Sequence, residues 1–232
     1  MTAVANFEIL AYEETPLGLL CLRRRELLSQ PGTVVTEITL NHEFLMSSYN
    51  TLSERELATG ALALHAGSGL QVMVGGLGLG YTAWEVLKSQ RVQRVEVMEL
   101  LPQVVEWMER GLFPLAHELK AESRLHVVAG DVYERLAQVP THRFDLILVD
   151  VDHSPDENLD VGTNPFYTEE GLTAAARHLA PGGVLAVWSY AASSPFAQAL
   201  SAVFGQVTVK TVTFNNALID EMATDYLFLA RE

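Results

Sequence analysis

The sequence has very little cysteine and no long apolar segment. Its one cysteine, Cys21, excludes a disulfide within the 232-residue chain. No apolar run reaches the roughly 18 residues that a membrane-spanning helix needs. The first residues, MTAVANFEIL, also lack the basic stretch followed by an apolar stretch that marks a secretory signal. We therefore expect a cytoplasmic protein that does not insert into a membrane.

Basic residues are also scarce. The chain carries 15 lysines and arginines against 29 aspartates and glutamates, which gives a formal net charge of −14. This balance argues against a nucleic-acid partner, because phosphates are bound by lysine and arginine. An acidic protein can instead attract a cationic substrate, although acidic residues also serve solubility alone. No grouping of residues in the sequence predicts a metal site.

Residues 1–50 have the pattern of β-hairpins. Apolar or β-branched segments are separated there by turn signals, among them Asn41-His42. A small antiparallel unit of this kind rarely folds alone, so we expect it to pack on the rest of the chain or on a second subunit. The predicted strands are Phe7–Tyr12, Leu17–Leu22, Thr33–Leu40 and Glu43–Met46.

From residue 51 to residue 232, apolar strands alternate with helices. This alternation predicts a mostly parallel sheet covered by helices on both faces, as in Rossmann-like α/β folds, and a domain separate from residues 1–50. Ser53 and Glu56 have the spacing of a capping box, in which Ser53 caps a helix that runs to about residue 66. The predicted strands are Leu70–Val74, Arg94–Leu100, Leu125–Ala129, Phe144–Val149, Val184–Ser189, Val207–Phe214 and Tyr226–Ala230.

A glycine-rich loop follows the first strand of this domain and precedes a helix. Glycines in that position allow a tight turn whose backbone amides approach a ligand closely. Glu99 ends the next strand, nineteen residues past the loop, where a carboxylate can accept hydrogen bonds from both hydroxyls of a ribose. A nicotinamide dinucleotide would need a second mononucleotide-binding half, which the sequence lacks. A nucleoside is therefore the predicted ligand, held by Glu99 and by the loop residues Gly75, Gly76, Gly78 and Gly80.

A second acid is expected near this loop. Asp131 follows the third strand of the domain, where a carboxylate can accept a hydrogen bond from an adenine amino group. It also has the position of an N-cap residue for the next helix. The two roles are compatible, so Asp131 is a candidate for both.

The loop after the fourth strand is strongly acidic. Between Phe144 and Ala176 there are eight acids and no lysine or arginine. Asp150 ends an apolar strand at the carboxyl edge, where open α/β sheets bind their ligands, and Asp152 comes two residues later. A carboxylate there can hold an ammonium group, take its proton and direct the amine at a sulfonium carbon. We therefore predict Asp150 and Asp152 as catalytic residues, His153 as a further candidate base, and a small cationic amine as substrate.

Several segments resemble the spermidine synthase (polyamine aminopropyltransferase) family. In the family's order and spacing, they are VMVGGLGLGYTAWEVL, VEVMELLPQVVEW, GDVYERL, FDLILVDVDHSP and NPFYTEEGLTAAARHLAPGGVLAVWS. The GGLGLGYT loop is similar to a shorter bacterial branch of the family. The resemblance implies the seven-stranded S-adenosylmethionine-dependent methyltransferase fold and a homodimer that small β-domains help to form. It also implies a polyamine acceptor and decarboxylated S-adenosylmethionine as co-substrate, with no permanently bound cofactor.

The resemblance also assigns roles to positions, and two departures from it keep other functions open. By position it places the nucleoside on Gly75–Gly80, Glu99 and Asp131, and the catalytic acid on Asp150. Gly78, however, stands where the family's GGGDGG loop has an aspartate that binds the aminopropyl ammonium, and the family's DSxDP reads DVDHSP here. Methyl transfer from intact S-adenosylmethionine to a small molecule is therefore the alternative. A catalytically inactive nucleoside-binding homologue is a third interpretation.

Overall fold

An antiparallel sheet forms near the start of the chain. The computed structural model describes residues 7–151, 154–155, 164–216 and 221–232. The strands of this N-terminal sheet are β1 (Phe7–Thr15), β2 (Gly18–Glu26), β3 (Val34–Leu40) and β4 (Glu43–Ser47). They pair in the order β1-β2-β3-β4. Asn41 and His42 have φ angles of 51° and 70°, as a two-residue hairpin turn requires, so the predicted turn between β3 and β4 is confirmed.

The second sheet has seven strands. They are β5 (Leu70–Gly75), β6 (Val92–Glu99), β7 (Leu125–Ala129), β8 (Phe144–Val149), β9 (Leu179–Ser189), β10 (Gln206–Asn216) and β11 (Glu221–Arg231). Their order is β10-β11-β9-β8-β5-β6-β7. The five strands from β9 to β7 are parallel, whereas β11 runs antiparallel to both of its neighbours. β5 therefore lies at the point where the strand order reverses, and α/β sheets bind their ligands at such a point.

Helices cover both faces of this sheet. They are α1 (Leu52–Leu64), α2 (Tyr81–Leu87), α3 (Pro102–Glu109), α4 (Ala116–Ala121), α5 (Val132–Ala137), α6 (Glu169–Ala176) and α7 (Ser194–Val203). Alternate residues of β8 point to opposite faces: Leu146 and Leu148 pack with α1–α4, and Ile147 and Val149 pack with α5–α7. The N-terminal sheet joins the α1–α4 face, because Leu20, Leu22 and Ile38 belong to the same buried cluster.

These observations confirm the predicted fold class. The chain has an α/β fold with a mostly parallel seven-stranded sheet and an antiparallel N-terminal strand unit. The division into two domains at residue 50 stays a prediction. None of the helices in the described residues is long and apolar enough to cross a membrane.

Two local predictions about helices need correction. The capping box is wrong: α1 begins at Leu52, its N-cap is Thr51 without a side-chain hydrogen bond, and the Ser53 hydroxyl donates to Asp225 instead. Glu56 binds Lys210 of β10 rather than the helix N-terminus. Both side chains thus bind residues of distant strands instead of capping the helix. The sequence pattern did not predict α4, because a helix of only 6 residues is too short to show hydrophobic periodicity.

Candidate active site

The glycine loop lies at the carboxyl edge of the seven-stranded sheet, in contact with the end of β8. Gly76 has a φ of 92°, a conformation that only glycine adopts readily. A Cβ atom on Gly76 would come within 2.2 Å of the carbonyl oxygen of Asp150. The loop therefore passes Asp150 so closely that no side chain fits between them.

The N-terminal sheet reaches the same loop from the other side. Gly78 has a φ of 50°, and a Cβ atom there would lie 2.5 Å from the sulfur of Met46 in β4. Met46 thus occupies the space next to the position where a side chain of residue 78 would begin. The environment of Gly78 on this side is apolar.

Glu99 anchors the glycine loop to β6. Its side chain is buried, with Oε2 accepting from the Leu77 amide at 2.7 Å and Oε1 accepting from the Leu101 amide at 2.9 Å. Burial raises the pKa of this carboxyl, and its hydrogen bonds to backbone amides act in the opposite direction. Ribose binding by Glu99 stays a prediction.

Asp131 is the N-cap residue of α5. Its Oδ1 accepts from the amide of Tyr133 at 2.7 Å and from that of Glu134 at 3.4 Å. This arrangement fixes the carboxylate at the tip of β7, beside Gly130. The capping role is thus observed, whereas the contact with adenine stays a prediction.

Asp150 lies at the carboxyl end of β8 and is held on two sides. Its amide donates to the Gly75 carbonyl at 2.9 Å, and its Oδ2 accepts from the hydroxyl of Thr82 in α2. Burial raises the pKa of Asp150 to about 6, the Thr82 hydrogen bond opposes this, and the charge of Asp225 adds to it. A carboxyl with a raised pKa is a better proton acceptor than an ordinary aspartate. Asp152 and His153 lie outside the described residues.

Backbone hydrogen bonds tie the predicted positions together along one edge. Asp150 bonds to Gly75 at 2.9 Å, Gly76 to Met98 at 2.8 Å, and Gly130 to Glu99 at 2.9 Å. The tips of β8, β5, β6 and β7 therefore follow one another without interruption. The glycine loop, Glu99, Asp131 and Asp150 share a single edge of the sheet, as a common cleft requires.

Asp225 is an acid at this edge that the sequence analysis missed. It lies in β11 and accepts a hydrogen bond from the hydroxyl of Ser53. Burial raises the pKa of Asp225, and the interactions with Ser53 and with the Trp188 indole oppose the shift. The only signal in the sequence is an acid directly before the apolar run that starts at Tyr226. Its position at the carboxyl edge follows from the antiparallel direction of β11, which local patterns do not encode.

Together these groups form a site suited to nucleophilic attack by an amine. Glu99 and Asp131 each carry a carboxylate beside the glycine loop, and Asp150 carries a carboxyl whose raised pKa is that of a suitable base. Asp225 adds a second negative charge on the same side. Such a site favours a cationic substrate and a reaction that releases a proton from it.

Comparison with known proteins relates the chain to enzymes that act on polyamines. The family model of the spermine/spermidine synthase domain matches residues 54–221. Polyamine aminopropyltransferase 2 of Streptomyces coelicolor is 33% identical over 119 residues, which are 50% of this chain and 21% of that protein. Putrescine N-methyltransferase 3 of Nicotiana tabacum is 27% identical over 115 residues, which are 50% of this chain and 29% of that protein. The chain thus spans less than a third of the length of these curated relatives.

Among solved structures, the fold is similar to that of spermidine synthase from Thermotoga maritima. The TM-score is 0.74, and the superposition covers 96% of this chain and 72% of that one. The sequences are 19% identical over this superposition. At that level the likeness shows a shared fold.

Proposed function

Because the chain belongs to the spermine/spermidine synthase family, we propose that it transfers an aminopropyl group from decarboxylated S-adenosylmethionine to a polyamine or a similar amine. The observation that carries this proposal is Asp150. Its carboxylate lies at the carboxyl end of β8, against the glycine loop, with a hydroxyl donor on Oδ2 and a pKa raised to about 6. The names of the polyamine aminopropyltransferase relatives support the same reaction.

The proposed reaction is an in-line substitution at carbon. An ammonium group of the acceptor loses its proton to the Asp150 carboxylate, and the freed lone pair forms a bond to the aminopropyl carbon attached to sulfur. The carbon–sulfur bond breaks, and its electron pair neutralises the sulfonium to give 5′-methylthioadenosine. Asp152 is proposed to assist Asp150 in holding the acceptor. The chain supplies position and a base, which together account for large rate factors in such reactions.

The co-substrate is proposed to lie along the edge formed by β5, β6 and β7. The Gly75–Gly80 loop would contact its nucleoside, the Glu99 carboxylate would bind its ribose hydroxyls, and Asp131 would bind its adenine amino group. The hydrogen bonds that hold Glu99 and Asp131 support this arrangement, because they fix both carboxylates before a ligand arrives. No permanently bound cofactor and no metal ion are needed for the proposed reaction.

Methyl transfer from intact S-adenosylmethionine is the second candidate function. The observation that favours it is the pairing of Gly78 with Met46, which leaves an apolar surface where the resemblance expects an acid. A carboxylate at residue 78 would repel the carboxylate of intact S-adenosylmethionine, and its absence removes that repulsion. A relative named putrescine N-methyltransferase supports this reading of the site. Both reactions use the same attack at a sulfonium carbon.

The decisive experiment compares the two co-substrates. The protein is incubated with a mixture of putrescine, cadaverine and spermidine and with either decarboxylated or intact S-adenosylmethionine, and the nucleoside products are quantified by mass spectrometry. We expect 5′-methylthioadenosine from the decarboxylated form. Release of S-adenosylhomocysteine from the intact form alone would replace aminopropyl transfer by methyl transfer, and product from neither would reject both.

The Asp150→Asn variant provides the matched control. It keeps the size of the side chain and an acceptor oxygen for Thr82, but it cannot take a proton. We expect its turnover to fall by about a factor of a hundred or more. Its affinity for 5′-methylthioadenosine, measured by calorimetry, should stay within a few-fold of the wild type.

We also propose a homodimer and a cytoplasmic location. The N-terminal sheet exposes about half of each of four large apolar side chains, and a second copy could cover them: Phe7 (50%), Ile9 (55%), Tyr12 (52%) and Phe44 (51%). The free thiol of Cys21 suits a reducing compartment. Sedimentation velocity tests the dimer: a Phe7→Ser/Ile9→Ser variant should dissociate, and a wild-type monomer at all concentrations would contradict the proposal.

A further inference from the structure

Asp150 and Asp225 lie on the same face of the seven-stranded sheet. The register pairs Val149 of β8 with Val187 of β9, and Trp188 of β9 with Leu227 of β11. Side chains alternate between faces along a strand, so Asp150 shares the face of Leu148, and Asp225 shares the face of Leu227. Leu148 and Leu227 both belong to the cluster on the α1–α4 face. The two carboxylates therefore stand on one face, separated by the strand that carries Trp188.

Each carboxylate accepts a hydrogen bond from the hydroxyl group of the second residue of a helix. Thr82 of α2 donates to Asp150, and Ser53 of α1 donates to Asp225 at 2.5 Å. The Trp188 indole also acts on Asp225, and it favours the ionised carboxylate. Asp225 is thus a partly buried acid with polar neighbours from two different elements.

The charged side chains around this face do not all act on Asp150, because most of them interact with other groups. Among the described residues, Asp225 supplies the charge that acts on Asp150. Glu54 and Arg55 of α1 act on the phenol of Tyr81 in α2, and the Arg55 guanidinium lies 5.7 Å from that ring. Glu56 of α1 is paired with Lys210 of β10. The other acids of the loop after β8, from Asp152 to Asp160, lie outside the described residues.

We propose that Asp225 is a positioning residue that acts through Asp150: its negative charge, together with the burial of Asp150, favours the protonated form of Asp150 and so helps it to accept the proton of the attacking amine. The inference rests on the proposed function for the identity of that amine. A negative charge beside Asp150 disfavours a second one, so it stabilises Asp150 once the proton has arrived. The proton moves from the ammonium nitrogen to an oxygen of Asp150, and Asp225 keeps its own state throughout.

The test measures the ionisation of Asp150 without any substrate. The chain contains eight aspartates, so carbon-13 labelling of their carboxyl carbons gives a simple spectrum, and Asp150→Asn identifies the Asp150 signal. In Asp225→Asn we expect the Asp150 pKa to fall by about one unit, because the opposing charge is gone. Asp225→Glu keeps the charge and should leave the Asp150 pKa raised. An unchanged Asp150 titration in a folded Asp225→Asn variant would falsify the inference.

Two further variants make the result specific. Glu56→Gln removes an acid of α1 that is paired with Lys210, so the Asp150 titration should stay as in the wild type; an equal shift would mean that any lost acid has this effect. Asp225→Ser serves if Asp225→Asn does not fold. It removes the charge with a smaller neutral side chain, so the Asp150 pKa should again fall. An unmoved Asp150 signal in folded Asp225→Ser would equally overturn the inference.

The same variants separate this inference from the proposed function. If the Asp150 pKa depends on Asp225 but no group is transferred from either sulfonium, the proposed function fails and the electrostatic role of Asp225 stands. If transfer occurs, Asp225→Asn should move the acid limb of the kcat/KM profile to lower pH, and Asp225→Glu should restore its position. Transfer with an acid limb that ignores Asp225 would overturn the inference alone.

Discussion

The raised pKa of Asp150 has opposite effects on the proposed chemistry and on the stability of the fold. Its burial and the charge of Asp225 raise its pKa to about 6, which improves it as a base for an ammonium group. The same shift makes ionised Asp150 costly for the fold, because a buried charge is less stable than a hydrated one. The residue therefore contributes to the proposed chemistry at the expense of stability.

Removing this charge should stabilise the protein in a pH-dependent way. The ordinary pKa of 3.8 describes the unfolded chain, whereas folded Asp150 keeps its proton up to about pH 6. The folded state binds more protons in this window, so wild-type stability falls as the pH rises through it. Asp150→Asn should therefore gain roughly 3 kcal/mol in free energy of unfolding above the window and almost none below it. Urea unfolding at several pH values measures this; a variant less stable than wild type at neutral pH contradicts it.

Thr82 should tune the same group in the opposite sense. Its hydroxyl stabilises ionised Asp150 and lowers the pKa of that carboxyl. Thr82→Val keeps the shape but removes the donor, so the Asp150 pKa should rise, and the acid limb of the kcat/KM profile should move to higher pH by about half a unit to one unit. Thr82→Ser retains the hydroxyl and serves as the control. Coinciding profiles of the valine and serine variants would show that this hydrogen bond has no part in the titration.

At the scale of elements, the site depends on a loop and two helix beginnings that meet at one sheet edge. The glycine loop joins β5 to α2, and its closest neighbour is the end of β8 rather than another part of the loop. Glycine is required at residue 76 for two reasons: its φ is 92°, and a side chain there would collide with the Asp150 carbonyl. Backbone geometry and packing can therefore be tested separately.

Gly76→Ala and Gly32→Ala form a matched pair for this test. Gly32 has a φ of 89°, but a Cβ atom there would meet nothing within 4 Å. Alanine at Gly32 should cost about 1 kcal/mol through backbone strain alone. Alanine at Gly76 should cost at least about 3 kcal/mol and weaken nucleoside binding, because the backbone must also move away from Asp150. Thermal unfolding and calorimetry give both quantities; equal costs at the two positions would refute the role of close packing.

For the whole molecule, the N-terminal sheet and the seven-stranded sheet share one buried cluster. Leu22 of β2 is fully buried in that cluster, and the indole of Trp107 in α3 donates to Glu13 of β1 at 2.8 Å. Met46 adds a contact at the glycine loop. The two sheets should therefore unfold together rather than in separate steps.

Leu22→Ala tests this coupling. The truncation should lower the free energy of unfolding by about 2–5 kcal/mol, as is usual for a buried leucine. All three tryptophans lie outside residues 1–50. Trp84 and Trp188 report on the rest of the chain, whereas Trp107 also reports on its contact with β1. We expect a single transition that shifts to lower denaturant concentration. Leu28→Ala, at a side chain that is 91% exposed, should leave it in place, and an unshifted transition in Leu22→Ala would indicate two independent units.

Local patterns in the sequence predicted the order of the strands and of most helices, and they placed the candidate site residues at strand ends. Apolar alternation and turn residues predicted the N-terminal hairpins, the strands of the α/β part and the turn at Asn41-His42. Asp131 was a predicted N-cap residue, and Asp150 was predicted at the end of an apolar strand. These features depend on residues within a few positions of one another, and such interactions are written directly in the chain.

Contacts between distant residues were decided only by the tertiary structure. Ser53 has the spacing of a local cap, yet it binds Asp225, 172 residues away. The contact of Met46 with Gly78, and the position of Asp225 on the same face and edge as Asp150, depend on the order and direction of strands in two sheets. Many such arrangements are compatible with the same local pattern, and the one observed is selected by the burial of a shared core.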